Sequence, residues 1–457
     1  MGKRDQEHRR ARKRERDARQ RPQTPPRARP EPDEPGLGGG SSLRELVEST
    51  LGAVLYAPDD RYHLTLDQGA SALSEPASRW PQTSRTVLVV TGAMLARLWQ
   101  AGWQPADLAR AVRRELTVRH LRLAVDLIAA EARGYAAASL DPRWSGQLRE
   151  LEATEWWGED DAFLPGVAAR ERADRFAVAT LLLELFRLIG RLPPITLLGP
   201  PPGSGGARSG PGRSPAYAQK TGSEPRMLGR IRALLAKAES TEFPDEAEAL
   251  TAKAQQLMAQ HSIDEALLAA VSGSAAEPGA CRIGVDNPYE APKAVLLDAV
   301  AEANRSRSVW SKDLGFCTVV GFPADLEAVE LLYTSLLVQA TGGMNGGGSR
   351  TKSFRQSFLV AYASRIRERL AEATAQATEE ALGGGRPDDG GGGSGGAVSL
   401  LPVLAARDEA VRESTERMFP TLKAGRAVRA NDYEGWTQGR AAADRARLHG
   451  QNSALPH

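Results

Sequence analysis

Cysteine is almost missing from this chain. Cys281 and Cys317 are the only two in 457 residues, far apart in sequence and with no Cys-x-x-Cys. They could pair with each other, but they cannot build a disulfide framework. A reducing cytoplasm is the simpler reading. Histidine is also scarce: His8, His63, His120, His261, His449 and His457, none spaced three or four residues from another. With no His-Glu-x-x-His string, the ligand clusters of a metal site are not evident. Long apolar runs are lacking as well. The most apolar stretch, Phe176 to Ile189, is interrupted by Glu184 and Arg187. It is shorter than the roughly 20 residues that a membrane span needs, so it reads as a buried helix. The N-terminus is charged with no apolar core behind it, so no secretory signal is expected. Neither glycine-rich stretch carries the Gly-Lys-Ser/Thr of a phosphate-binding loop. The one formal Gly-x-Ser-x-Gly match, Gly392 to Gly396, has no apolar strand before it and is compositional. No catalytic residue, cofactor site or metal site is therefore named.

What is present is balanced charge, unevenly placed. Lys and Arg number 59 against 57 Asp and Glu, a net charge of +2. Residues 1–30 hold twelve of the basic residues and four of the acidic ones, so the remainder is slightly acidic. Such a body does not suit a protein that coats nucleic acid. Residues 1–42 read as a disordered basic tail. The tail is either an arm that touches nucleic acid or an acidic partner, or a solubilising terminus.

Residues 43–198 read as a mostly helical domain. Thr86 to Ala96 is apolar and could begin as a strand before Met94. Gly102 then ends one helix, and Pro105 starts another with Asp107 in its first turn. Leu95, Leu98 and Trp99 face the core from the first, and Leu108, Val112 and Leu116 from the second. The shape is helix–turn–helix, in which Arg110, Arg113 and Arg114 would face a DNA groove. Helical hairpins with a glycine turn are also common for packing reasons alone. Helices continue over Leu121 to Ala137 and Ala173 to Ile189. Trp156 and Trp157 between them read as core or as a partner contact. Residues 199–224 are Gly/Pro-rich linker.

The clearest folded unit spans residues 225–272. Met227, Leu228, Ile231, Leu234, Leu235 and Ala238 share one face of a helix, with Arg226, Arg230 and Lys237 elsewhere on it. Pro244 restarts the helix after a break, and Asp245, Glu246 and Glu248 suit its positive end. Ala247, Leu250, Ala254, Leu257 and Met258 form the facing stripe. The short link makes the helices antiparallel, and so small a pair must lean on another part of the chain. Glu239, Glu242, Asp245 and Glu246 could ligate a divalent cation, but helix-start acids explain them. His261 sits on the apolar side near the expected C-terminus of the second helix. Asp264 to Val271 reads as a further short helix.

The string LLAKAEST-FPDEAEALTAKAQQLM resembles the bacterial domain-of-unknown-function family 2786. Leu234, Leu235, Lys237, Ala238, Pro244, Glu246, Ala247, Lys253, Ala254, Leu257 and Met258 carry the resemblance. It implies a helical hairpin and no particular activity, substrate or site. The abundance of Ala, Arg, Gly and Pro fits a GC-rich bacterial genome.

Residues 285–380 read as a small α+β domain. Ser308 to Trp310 and Phe316 to Gly321 form two short strands around the turn Lys312 to Gly315. Pro323 and Asp325 start a helix with an inner stripe of Leu326, Val329, Tyr333 and Leu336. Thr351 to Ala373 is a long helix with an unusual wheel. Phe354, Phe358, Leu359, Tyr362, Ile366 and Leu370 share a side with Arg355, Arg365 and Arg369. Such a face stacks bases and pairs phosphates, or lays arginine stems over apolar surface. Residues 383–396 are a second linker. Residues 397–457 are a helical segment anchored by Trp436. The fold class is mostly α with a small antiparallel sheet. The functional expectation is a non-enzymatic binding module with nucleic acid as leading partner. A protein–protein adaptor, and an enzyme of unrecognised type with a pocket in residues 285–380, are the alternatives.

Overall fold

A computed structural model of the chain describes residues 39–203, 226–240, 244–272, 277–345, 351–383, 400–422 and 428–446. Residues 1–38 of the expected tail, residues 204–224 and 384–396 of the two expected linkers, Glu242, and the side chains of Arg226, Met227, Leu228, Ala238, Glu239, Asp245, Glu246, Ala247 and Glu248 lie outside the described set. The fold is mostly helical with one three-stranded antiparallel sheet.

Eight helices build the first lobe: α1 (Gly39–Leu55), α2 (Tyr62–Ser74), α3 (Trp80–Gln100), α4 (Pro105–Glu115), α5 (Val118–Ala132), α6 (Pro142–Glu150), α7 (Phe163–Glu171) and α8 (Arg175–Arg191). Their shared core includes Trp99, Trp103, Leu108, Leu127, Phe163 and Leu183. The stretch Thr86 to Ala96, expected to open as a strand, is helical throughout and lies inside α3. Burial of Val87, Val90 and Thr91, beside the good helix formers Leu88 and Leu95, overrides their β-branched preference. The hydroxyls of Thr83, Thr86 and Thr91 donate to the carbonyls four residues back, so none is left unmatched. After α3, Gly102 turns with φ +97°. A Cβ there would stand 2.2 Å from the Ile195 carbonyl oxygen, so the turn needs glycine twice over. The chain leaving α8 lies against this turn: Ile195 N–H donates to Ala101 O at 2.9 Å, and Trp103 Nε1 donates to Pro193 O at 2.8 Å. Asp107 starts α4 as expected, accepting from Gln104 N–H at 3.1 Å.

The second lobe opens with the hairpin, α9 (Arg226–Ser240) and α10 (Pro244–Ser272). Ile231 and Leu235 meet Ala254, Leu257 and Met258 in a buried seam. That seam runs on into one core with the sheet and the helices after it. α10 does not stop near His261: no glycine or proline interrupts Ser262 to Asp264, so the expected short helix is its continuation. His261 is therefore mid-helix and half-buried, away from any helix end.

The sheet joins β1 (Gly279–Gly284), β2 (Arg307–Ser311) and β3 (Phe316–Gly321) in the order β1-β3-β2. α11 (Glu290–Ala303) precedes β2, and α12 (Pro323–Asn345) follows β3. β3 is buried at all six positions because both faces are covered. Cys317 and Val319 point into the main core, while Val320 joins Phe322 under a separate helix, α14 (Leu400–Met418). Last come the long α13 (Lys352–Gly383) and, after α14, α15 (Tyr433–Arg445).

α15 lies flat along α13. A Cβ at Gly435 or Gly439 would stand 2.4 Å or 2.2 Å from the carbonyl oxygens of Phe354 and Phe358, so backbone meets backbone. Ala442 and Ala443 continue that small-residue stripe into the core. Trp436, the expected anchor, is only half-buried, and the two glycines seat the helix instead.

Candidate functional site

Arg110, Arg113 and Arg114 lie on α4, where the second lobe docks. Arg110 donates to Asp286 and Arg114 to Glu290, while Arg113 is exposed. A third pair is buried: Arg282 of β1 donates to Asp107 Oδ2 at 2.7 Å and to Gly102 O at 2.9 Å. It also donates to Thr196 O, and its guanidinium lies 5.2 Å from the centre of the Phe316 ring. Burial raises the Asp107 carboxyl, against the opposing pull of Arg282. Two of the three arginines expected to face DNA thus bridge the lobes. Sequence spacing could not show this, because their acids lie 176 residues away.

The basic-aromatic face of α13 is likewise turned inward. Tyr362 is fully buried beside Phe358, at 6.3 Å between ring centres, and burial pushes its phenol up. No base can stack there. Arg369 is buried and donates to the carbonyls of Ala443, Asp444 and Ala446, capping the C-terminus of α15. Arg365 donates to Asp444 at 2.5 Å and to Glu368 at 2.8 Å. Arg355 is half-buried. The structure favours arginine stems laid over apolar surface, with heads that hold α15.

A different surface emerges at Trp156. Trp157 beside it is buried, at 4.9 Å from Phe163 between ring centres. Trp156 is 41% exposed yet firmly oriented. Its Nε1–H donates to Asp126 Oδ1 at 2.7 Å. Arg170 lies 4.5 Å from the ring centre and makes a two-bond fork to Asp126, at 3.1 and 2.6 Å. Gly166 leaves room for the ring edge: a Cβ there would stand 3.0 Å from Trp156 Cζ3. Behind this sits Glu171, buried and held by Arg122 at 2.8 and 2.5 Å. The Arg122 hydrogen bonds hold the Glu171 carboxyl below the usual carboxylate range. Residues 150–161 carry six carboxylates and no Lys or Arg. Glu155 and Asp160 pair with Arg133, and Asp161 with Arg85, while Glu150, Glu152 and Glu159 are exposed.

Two further arrangements were invisible in the sequence. Thr117 Oγ1 lies 2.8 Å from His120 Nδ1, and His120 Nε2 lies 2.9 Å from Glu184 Oε2. Hydroxyl, imidazole and carboxylate stand in the order of nucleophile, base and orienting acid. However, Thr117 N–H also donates to Nδ1, at 3.3 Å, so a helix cap occupies the lone pair a base needs. An open depression lies between Tyr56, Pro58, Asp59 and Arg191. Among the described residues, no three His, Cys, Asp or Glu side chains are grouped to hold a metal ion, and no helix is long and apolar enough to cross a membrane.

The class these features define is a mostly helical chain that has, among the described residues, two large cores, a small third cluster and one small antiparallel sheet. Within the second core, residues 226–265 match the family described as a protein of unknown function (DUF2786). No curated protein and no solved structure matches the chain.

Proposed function

We propose that this protein is a non-enzymatic binding module whose partner is another protein, docked at the Trp156 surface. The observation that carries this reading is a large aromatic side chain, part exposed and fixed from behind by Asp126, Arg170 and Gly166. A tryptophan already held in one orientation loses little freedom on binding, and such residues dominate interface energetics. The exposed acids Glu150, Glu152 and Glu159 favour a partner with basic side chains around an apolar anchor. Nucleic acid ranks lower in this reading than charge counting suggests. Arg110, Arg114, Arg365 and Arg369 have their heads on carboxylates or carbonyls of the same chain. The setting in this reading is a reducing bacterial cytoplasm, in keeping with the free, buried thiols of Cys281 and Cys317.

The test compares wild-type protein with Trp156→Ala as bait for partners from its own cells. Trp156→Ala should weaken the captured partner by about tenfold or more, compared at a temperature where circular dichroism shows both proteins folded. A partner held equally well by both proteins would overturn the reading. A gel shift titrated with salt serves the rival: retardation that fades steeply with salt and survives Trp156→Ala would assign the surface to nucleic acid instead.

A further inference from the structure

The lobes meet through charge rather than through a shared apolar core. Among the described residues each lobe has its own large core. Leu314, in the turn between β2 and β3, packs against the first one. The ionic contacts have a consistent polarity. Arg110 and Arg114 of α4 donate to Asp286 and to Glu290 at the start of α11. Both arginines press on glycine backbone of the second lobe: a Cβ at Gly284 would overlap the Arg110 guanidinium, and one at Gly315 the Arg114 guanidinium. Arg143 of α6 adds a third positive charge. Burial raises the Glu327 carboxyl of α12, and Arg143 heads the charges that pull it back. Arg282–Asp107 runs the other way, and both its side chains are buried.

These contacts do not respond alike to dissolved ions. Burial of Arg282 and Asp107 offsets much of their attraction, so that pair sets the pose more than it drives closure. The Asp286 side chain is 57% exposed, so ions reach its bond with Arg110. Arg114 and Glu290 are less exposed, at 18% and 16%, and keep partial access to water. Fields of one sign from Arg110, Arg114 and Arg143 act together on the acids opposite. Their range shrinks from about 10 Å at about 0.1 M salt to about 3 Å at about 1 M. An apolar joint would not weaken over the same range. A joint within one chain that lacks a large apolar patch is expected to open and close. Opening would free the heads of Arg110 and Arg114 beside the exposed Arg113.

We propose that the lobes form an ion-operated joint, closed at low ionic strength by Arg110–Asp286 and Arg114–Glu290 and opened when salt screens those pairs, with each lobe staying folded. Spin labels at Val118→Cys and Lys312→Cys, both exposed and one on each side of the joint, read the separation. The native thiols, Cys281 and Cys317, are buried and stay unlabelled. In the full chain at about 0.1 M sodium chloride the pair should give one narrow distance. At about 1 M it should give a longer and broader one, while circular dichroism is unchanged. A distance that does not move with salt overturns the proposal. The second arm removes charge and keeps shape. Asp286→Asn with Glu290→Gln should show, already at about 0.1 M, the long and broad distribution of wild type at about 1 M, and should not respond to further salt. A folded double variant that matches wild type at low salt also overturns it.

Discussion

Replacing Gly439 by alanine puts a methyl group where α13 and α15 already touch. The added Cβ would stand 2.2 Å from Phe358 O and 2.9 Å from the carbonyl and α carbons of that residue. These are backbone atoms in a helix, so no side chain can swing aside. Restoring ordinary contact moves α15 outward by roughly 1 Å, and a gap of that size forfeits a quarter to a half of the dispersion energy of the neighbouring contacts. The neighbours are Ala442 and Ala443 in the core and the carbonyls held by Arg369. Overpacking of this kind costs about 1–3 kcal/mol. Alanine returns up to about 1 kcal/mol through its higher helix propensity. The net loss is about 1–2 kcal/mol, or a fall of roughly 2–8 °C in the melting temperature of the second lobe. The control is Gly92→Ala in α3, where the new Cβ has nothing within 4 Å. There the propensity term stands alone, and stability should rise by up to about 1 kcal/mol. Scanning calorimetry reads both changes, and limited proteolysis after Arg440 or Arg445 reports whether α15 has lifted. If Gly439→Ala melts at or above wild type, or if Gly92→Ala falls as far, the close-contact argument is refuted.

Two other outcomes follow from buried charge. Arg282→Ala strands the Asp107 carboxylate between the lobes and should cost about 3–5 kcal/mol, with a larger radius of gyration in solution scattering. Pairing Arg282→Met with Asp107→Asn, which keeps the acceptor for Gln104 N–H but removes the unpaired charge, should recover part of that loss; a double variant as unstable as Arg282→Ala would mean the stranded charge is not the cause. Glu171 tests the pH dependence. Its carboxyl is held below its unfolded value, so its contribution is complete above about pH 4.5 and is lost as pH falls toward the folded pKa. Glu171→Gln should lower the melting temperature at pH 7 and narrow its gap to wild type as pH falls below about 4.5; a gap that is constant with pH would rule out the ionised pair.

Local grammar was readable in the sequence, and long-range partnership was not. The hairpin seam, the strands β2 and β3, and the proline starts of α4, α10 and α12 all follow from neighbours within a few residues. β1 has no counterpart among the sequence expectations, since GACRIG has little strand propensity. It is a strand through its register with β3, where Cys281 faces Val319 and Ile283 faces Cys317. Asp107 and Asp325 were read correctly as helix-start acids. Each also receives an arginine from far along the chain, Arg282 and Arg407, and nothing near either aspartate signals that. The α13 arginines misled for the same reason. An Arg-aromatic wheel looks alike whether it meets nucleic acid or the end of another helix. Trp156 was noticed, but the Asp126–Arg170 bracing that fixes it depends on three separate segments.

Arg282 grips the Thr196 carbonyl only a few residues before the first lobe gives way to the linker. The second lobe is thus moored beside the point where the chain departs for it. A change at Arg282 would therefore be felt at the end of the first lobe and at the first strand of the second together, so neither can be loosened alone.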